Sequence, residues 1–357
     1  MESGEGQGRT EGSRQNGRRL RTRWVFVGLV LMFGGSVFLG GIAAVEAWLW
    51  GGPTWRRQVL VDSESEKSVA LVRIAGIIGA PARSGGVTEE EIRRVLDALS
   101  EQEWVVGVIL SIDSPGGGAM ESDRIAKVVQ RFREKTGHPV VALMEGVAAS
   151  GGYYVAAPCD WIVADEMTLT GSIGVIWSSL NIRGLLDRIG VTPVVFKSGE
   201  HKDMLNPWKD PATVDDAERS MVQELVLETF SKFVSVVEEG RKKSHATFEE
   251  LGSRELVADW RDYADGRVFS GKKAFELGFV DELGDRSVAF ERVKSMLGQN
   301  ELDLVAIERR IPPGEWFQLT ASRLTRRPSL LGGASYGDLG LPLAPGKLYF
   351  LQSTYLD

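Results

Sequence analysis

The residue best suited to chemistry in this 357-residue chain is Ser150, presented in Ala148-Ala149-Ser150-Gly151-Gly152-Tyr153-Tyr154. Upstream stands a glycine-rich stretch, Ile112-Asp113-Ser114-Pro115-Gly116-Gly117-Gly118, and downstream a lysine-bearing one, Lys197-Ser198-Gly199-Glu200-His201-Lys202-Asp203. A hydroxyl nucleophile, a base and a row of unobstructed backbone N–H groups are what amide hydrolysis needs when no histidine base is at hand. Taken singly, each has a plainer explanation. Ser-Gly-Gly at a helix start reads as an N-cap, glycines at a strand-to-helix turn are common on steric grounds, and a lysine in a polar loop is usually solvated. The conjunction points to a serine peptidase. A lysine accepts a proton only when neutral, and with an ordinary pKa of about 10.4 it must be desolvated and hydrogen-bonded to the serine to do so. The residues themselves do not choose between Lys197 and Lys202 for that task.

These groups need elements to hold them. Apolar runs at 68–76, 104–112, 139–144, 161–164 and 192–196 read as strands. Amphipathic helices are expected over 88–100, opened by a Thr88/Glu91 capping box, and over 122–135. A short helical stretch follows Ser150 over 151–157, then a long helix over about 214–242 and shorter ones near 248–263 and 271–277. Near-continuous apolar strands alternating with helices imply an α/β fold with a mostly parallel sheet covered on both faces. The glycines 116–118 then follow a buried strand and lead into a helix, which leaves backbone N–H groups at the sheet's carboxyl edge where an anion can sit. A nucleotide-phosphate reading is weaker, because neither a P-loop nor a Gly-x-Gly-x-x-Gly run is present there. Past residue 300, Pro312, Pro313, Gly332, Gly333, Pro328, Pro342 and Pro345 suggest an irregular extension. Within it, the apolar stretch 339–351 is expected to pack on a neighbouring subunit or to lie across the substrate groove as a strand, with a flexible tail as the plain alternative.

The amino end is of another kind. Residues 1–23 are rich in Gly, Ser and Arg and read as a disordered basic tail. From Trp24 to Val45 run 22 residues without a charge, which at about 1.5 Å each span roughly 33 Å, the thickness of a hydrocarbon core. Trp24, Trp48 and Trp50 bracket this run as interfacial anchors, and the arginines before it predict a cytoplasmic amino terminus with the remainder exported. A cleaved signal peptide is the alternative, since small residues follow the apolar run around 43–47, but the run exceeds the usual signal core. The expected organisation is a basic tail (1–23), a transmembrane helix (24–50), a linker (51–67), a peptidase domain (68–300) and a carboxyl-terminal extension (301–357). The lone Cys159 cannot form an internal disulfide and reads as a small buried residue. His138, His201 and His245 are scattered without ligand spacing, so neither metal nor cofactor is expected. A net charge of -7 argues against a nucleic-acid partner.

Four blocks carry a resemblance: the Ser150 block, Leu169-Thr170-Gly171-Ser172-Ile173-Gly174-Val175, the Lys202 block, and Asp265-Gly266-Arg267-Val268-Phe269-Ser270-Gly271. In this order and spacing the chain resembles the signal peptide peptidase A family in its short, single-domain form, over about residues 68–295. The resemblance implies Ser150 as nucleophile, Lys202 as general base, and Ser172 as an auxiliary serine hydrogen-bonding the lysine. It implies an oxyanion site from the Gly116-Gly117 loop and the Gly151 N–H. It further implies the Clp protease/crotonase-like spiral of ββα units, preceded here by one N-terminal transmembrane helix, and assembly of the subunits into a homo-oligomeric ring. The expected protein is a Ser/Lys endopeptidase of the bacterial plasma (inner) membrane, its catalytic domain on the outer face, degrading cleaved signal peptides and other apolar or unfolded peptides at the lipid bilayer. A His201-based hydrolase, a crotonase-type acyl-CoA enzyme and an inactive membrane scaffold are the rivals. Export argues against the acyl-CoA enzyme, and the intact Ser150 and Lys202 argue against the scaffold.

Overall fold

The computed structural model describes residues 55–309 and 348–351. Its strands are β1 (Trp55–Val61), β2 (Ser68–Ala75), β3 (Ile77–Ile78), β4 (Gly86–Val87), β5 (Val105–Ser114), β6 (Gly116–Gly118), β7 (Val140–Ala149), β8 (Trp161–Ala164), β9 (Leu169–Gly171), β10 (Ile176–Trp177), β11 (Val268–Ser270), β12 (Glu282–Leu283), β13 (Asp303–Arg309) and β14 (Leu348–Leu351). Its helices are α1 (Glu89–Leu99), α2 (Ala119–Thr136), α3 (Gly151–Ala156), α4 (Arg183–Arg188), α5 (Asp216–Phe248), α6 (Gly271–Glu276) and α7 (Arg286–Leu297).

The apolar runs that read as strands pair in parallel. The main sheet runs β1-β13-β2-β5-β7-β8-β12, and every register from β13 to β12 along it is parallel. β7 is long enough to serve two neighbours: residues 141–144 pair with β8, whereas 147–149 pair with β9. A second sheet, β10-β14-β6-β3-β4, is built from short strands. Twice in succession the chain makes a long strand, short strands of the second sheet and a helix: β2 to β3 and β4 to α1, then β5 to β6 to α2. The fold is thus mixed α/β around a mostly parallel sheet.

Burial on both faces explains why the strands are continuously apolar. One face holds Val69, Leu71, Ile109, Val141, Leu143, Trp161 and Val163 against Phe290 and Val293 of α7. Residues of the other parity, Leu110, Ile112, Ala142 and Met144, are equally buried, as are Ile125, Val129 and Phe132 of α2 and Tyr153 and Tyr154 of α3. α1 keeps its capping box: Thr88 Oγ1 accepts from the Glu91 N–H while Glu91 accepts from the Thr88 N–H. Beneath α3, the buried pair Arg241 and Asp281 ties α5 to the loop before β12.

Several expectations change. The run 192–196 is not a strand: among the described residues it has no partner, and Val194 and Phe196 are 74% and 94% exposed. Apolar composition alone does not make a strand; a sheet edge within reach does. The glycines 116–118 form β6 instead of an open loop, paired with β3 and β14. The region past residue 300 begins in the sheet, since β13 pairs with β2 over five residues, and the linker region contains β1. The long helix starts at Asp216 and continues to Phe248; beyond it, 248–263 holds 3-10 turns rather than a helix. α7 was not anticipated at all. The expected basic tail, transmembrane helix and most of the proline-bearing extension lie outside the described residues. Among the described residues no helix is long and apolar enough to cross a membrane.

Candidate active site

Ser150 lies between the end of β7 and the start of α3, at φ +54° and ψ −114°. That is a costly conformation for a residue with a Cβ, on the order of 1–3 kcal/mol, and it persists only where the surroundings over-determine it. Here they do: the Ser150 N–H donates to the Gly171 carbonyl at 2.8 Å and its own carbonyl accepts from the Tyr154 N–H at 2.8 Å. The side chain is fully buried, yet Oγ has no hydrogen-bond partner among the described residues. A plain N-cap would spend its hydroxyl on the helix N–H groups, and Ser150 makes no such bond. A buried, unpartnered hydroxyl costs stability and calls for an explanation.

The glycines around it are dictated by backbone contact. A Cβ on Gly151 would sit 2.5 Å from Ser122 Oγ, 3.1 Å from Gly116 Cα and 3.2 Å from the Gly117 nitrogen, so the start of α3 rests directly on the backbone of β6. A Cβ on Gly117 would lie 2.0 Å from the Ile78 carbonyl oxygen. Gly116 takes φ +103°, open to glycine at no cost. The three glycines expected at an anion site are therefore brought together beside Ser150. Their donors differ: the Gly116 N–H is occupied by Ser114 Oγ at 3.1 Å, while the Gly151 N–H has no acceptor among the described residues. Ser114, whose hydroxyl also donates to the Gly76 carbonyl at 2.6 Å, fixes this turn and was not singled out by sequence. Its signal is its place just before the Pro-Gly-Gly run.

Ser172 follows β9 as Ser150 follows β7. The paired residues Ala149 and Gly171 immediately precede the two serines. Ser172 is buried at φ +50°, and its N–H donates to the Arg267 carbonyl at 2.7 Å, which draws the Asp265–Gly271 block to the site.

Lys202 is not brought to Ser150. It is exposed, in a turn where its N–H donates to the Gly199 carbonyl, and its side chain has no bonding partner among the described residues. The structure nevertheless separates it from Lys197. Lys197 Nζ is engaged by Asp203 at 2.9 Å and by the Glu200 carbonyl at 2.8 Å, and this hydrogen bond holds the Asp203 carboxyl below its ordinary pKa. Lys209 is likewise taken, by the buried carboxylate of Glu218. Lys202 is the lysine of this segment left uncommitted. His201 is exposed and makes no bond to Ser150. Cys159 is buried, and burial pushes its thiol up to about 12, the opposite of what a nucleophilic cysteine needs.

The profile of "Peptidase family S49" matches residues 132–300, which contain Ser150, Ser172 and Lys202. A protein of Enterococcus faecium named "Putative signal peptide peptidase SppA" is 34% identical over 258 residues, 71% of this chain and 70% of that one. "Putative protease slr0021" of Synechocystis sp. is 31% identical over 71% of this chain and 86% of its own length. "Protease 4" of Haemophilus influenzae is 28% identical over 78% of this chain and 43% of its own. With the strained serine on its glycine cradle inside the matched region, these likenesses establish that the chain belongs to peptidase family S49 and is, at that level, a serine peptidase.

Proposed function

We propose that the chain is a membrane-anchored Ser/Lys endopeptidase that degrades cleaved signal peptides and other apolar or unfolded peptides. The observation that carries the reading is Ser150 itself: strained, fully buried, and holding a hydroxyl with no partner at the junction of strand, helix and glycine backbone. Ser150 attacks a peptide carbonyl, Lys202 takes its proton and returns it to the leaving amine, and water then releases the acyl-enzyme. The N–H groups of Gly117 and Gly151 face the developing oxyanion, with Gly116 supplying room through its φ. Ser172 orients the lysine. The overall fold is the spiral of ββα units shared with Clp proteases and crotonases.

Lys202 requires desolvation to act, and the segment that carries it offers the means. Leu180, Leu185, Ile189, Val194 and Phe196 are all exposed on residues 180–196, and large apolar side chains left to water within one segment suit an interface that covers them. Assembly into a homo-oligomeric ring covers this face and closes Lys202 over Ser150. The uncharged run 24–45 anchors the ring to the bacterial plasma membrane as a single pass, amino terminus in the cytoplasm and catalytic domain outside. The test is labelling of the detergent-solubilised chain with a fluorophosphonate. Adduct on the peptide containing Ser150, absent from Ser150→Ala, is expected; a folded chain that never labels would defeat the reading.

A further inference from the structure

Between α2 and α5 lies a cleft of about 600 Å³ that Ser150 does not line, the size of a small-molecule site. Two contacts set its course. Toward one end the Tyr154 hydroxyl donates to Asp123 of α2 at 2.8 Å, while the Tyr154 ring packs on Phe233 of α5 with centroids 5.0 Å apart. Further along, Arg133 of α2 donates to the Pro158 carbonyl, and a Cβ on Gly240 of α5 would sit 2.3 Å from the Ala157 carbonyl oxygen. The two helices therefore run side by side, with the end of α3 and the turn after it as the floor. That floor is buried and fully bonded: Asp160 pairs with Arg133 and accepts from the Val140 N–H at 2.8 Å.

The rim is not. Asp123 closes on Lys127 at 2.6 Å, but Glu239 and Lys243 of α5, both exposed at the cleft, carry no side-chain hydrogen bond or ion pair among the described residues. They stand four residues apart with the acid first, the order in which a helix pair closes, and they stay open. Glu239 belongs to the end marked by Tyr154: burial, then the carboxylates of Asp123 and Glu239, raise that hydroxyl's pKa. Past Lys243 the lining turns apolar, with Phe248, Met296 and Leu297 only partly buried against the core. Along the cleft the order is thus acid, base, apolar ground. Lys232, two turns before Glu239, lines the opposite mouth.

We propose that this cleft is a second binding site, for di- or tripeptides with both ends free and an apolar carboxyl-terminal residue. The ammonium meets Glu239, with Asp123 behind it, the carboxylate meets Lys243, and the last side chain covers Phe248, Met296 and Leu297. The lengths agree: Glu239 and Lys243 are about 6 Å apart along the helix axis, and two or three extended residues span about 7–10 Å. The ligand class follows from the lining. That such peptides are at hand rests on the function proposed above, since an endopeptidase working on apolar segments releases short peptides of this kind.

The experiment is titration calorimetry of the tripeptide Ala-Ala-Leu into the full Ser150→Ala chain in detergent, where nothing is turned over. A Kd of about a millimolar or tighter is expected. Acetylating the amine or amidating the carboxylate should each weaken binding about three- to fivefold, the strength of an exposed ion pair. Ala-Ala-Ser should bind about tenfold more weakly than Ala-Ala-Leu, because it lacks the buried apolar side chain. Added to Ser150→Ala, Glu239→Gln should remove most of the difference between acetylated and free peptide, and Lys243→Gln most of that between amidated and free peptide. Lys232→Gln should leave the Kd within about twofold. All three positions are exposed, so these variants keep the fold. No binding with peptide at about 10 mM, or a peptide whose Kd and end preferences are untouched by Glu239→Gln and Lys243→Gln because it sits at residue 150 instead, would overturn the proposal. Failure of the fluorophosphonate to label the parent chain would count against the peptidase reading alone, because this titration needs no chemistry.

Discussion

Ser150 and Ser172 are held side by side by one rung of the sheet: Ala149 pairs with Gly171, the Ser150 N–H donates to the Gly171 carbonyl at 2.8 Å, and both serines leave that rung at positive φ, +54° and +50°. Both serines thus take a backbone state that residues with a Cβ rarely adopt, on adjacent strand ends. The consequence is kinetic. Ser150→Ala and Lys202→Ala are each expected to remove about four orders of magnitude or more of kcat/KM while the chain stays folded, and the double variant should be no worse than either single. If Ser172 acts through the lysine, as proposed, Ser172→Ala should cost less than the 10²–10⁴ of a positioned proton acceptor. His201→Gln should leave the rate within about twofold of the parent. Steady-state kinetics with a peptide reporter, alongside circular dichroism, decides each case; a folded Lys202→Ala enzyme of near-normal rate sinks the dyad.

The glycine cradle gives a steric prediction. Gly151→Ala places a methyl 2.5 Å from Ser122 Oγ and 3.1 Å from Gly116 Cα, so α3 must shift away from β6. Overpacking of this kind costs about 1–3 kcal/mol, and the displaced N–H should lower kcat on the order of a hundredfold. Adding Ser122→Ala removes the nearer clash but leaves the contact with Gly116, so stability recovers in part while turnover does not. Chemical denaturation and single-turnover kinetics on the two variants separate these effects; joint recovery of both would mean that Gly151 has no role beyond fitting.

How much of this was legible in the chain depends on range. The capping box at Thr88 and Glu91, the strand–serine–helix order at Ser150 and the parallel sheet are local or periodic, and they were read correctly. The strand β13 was not, because Asp303–Arg309 is a short apolar run whose fate is decided by the open edge of β2, more than two hundred residues earlier in the chain. The opposite error fell on 192–196, which has strand composition but no edge to join. At the site, the serines and glycines were visible because their types are unusual at such turns. That Lys197 is engaged by Asp203 was not visible, since which ammonium a carboxylate captures is a matter of side-chain geometry.

Alkaline pH should weaken the fold through two buried groups. Burial raises the Cys159 thiol from an ordinary value of 9.0 up to about 12 and pushes the Tyr153 hydroxyl up as well. Above about pH 9 the unfolded chain releases the Cys159 proton while the folded chain retains it, so the folded state binds more protons and stability falls as pH rises. Each such group contributes a slope of up to about 1.4 kcal/mol per pH unit in that window. Cys159→Ala is expected to flatten the decline between pH 9 and pH 11, seen as a smaller drop in urea midpoint. In the native protein at pH 8, iodoacetamide should leave Cys159 unmodified, with rapid alkylation only after denaturation; fast native alkylation would contradict its burial.

The last prediction concerns the charge pair under the active helix. Arg241 and Asp281 are both fully buried, joined by bonds of 2.8 and 2.5 Å, and Arg241 also donates to the carbonyls of Gly278 and Arg254. Asp281 in turn accepts from the N–H groups of Ile162 and Arg254, so one ion pair stitches α5, β8 and the turn before β12 into a floor. Tyr153 of α3 reaches the same floor through its hydroxyl, which donates to the Phe279 carbonyl. Removing one partner strands an uncompensated charge in the interior, so Arg241→Met and Asp281→Leu should each cost about 3–5 kcal/mol. Removing both eliminates the stranded charge, and the double variant is expected to be more stable than the sum of the two losses by about 2 kcal/mol or more, a coupling that a double-mutant cycle reads directly. The remaining deficit comes from the backbone groups of Gly278, Ile162 and Arg254 that lose their partners, and activity per folded molecule should stay near that of the parent, since neither residue touches Ser150. Additive losses in the urea-denaturation cycle would show that the pair is not a buried unit.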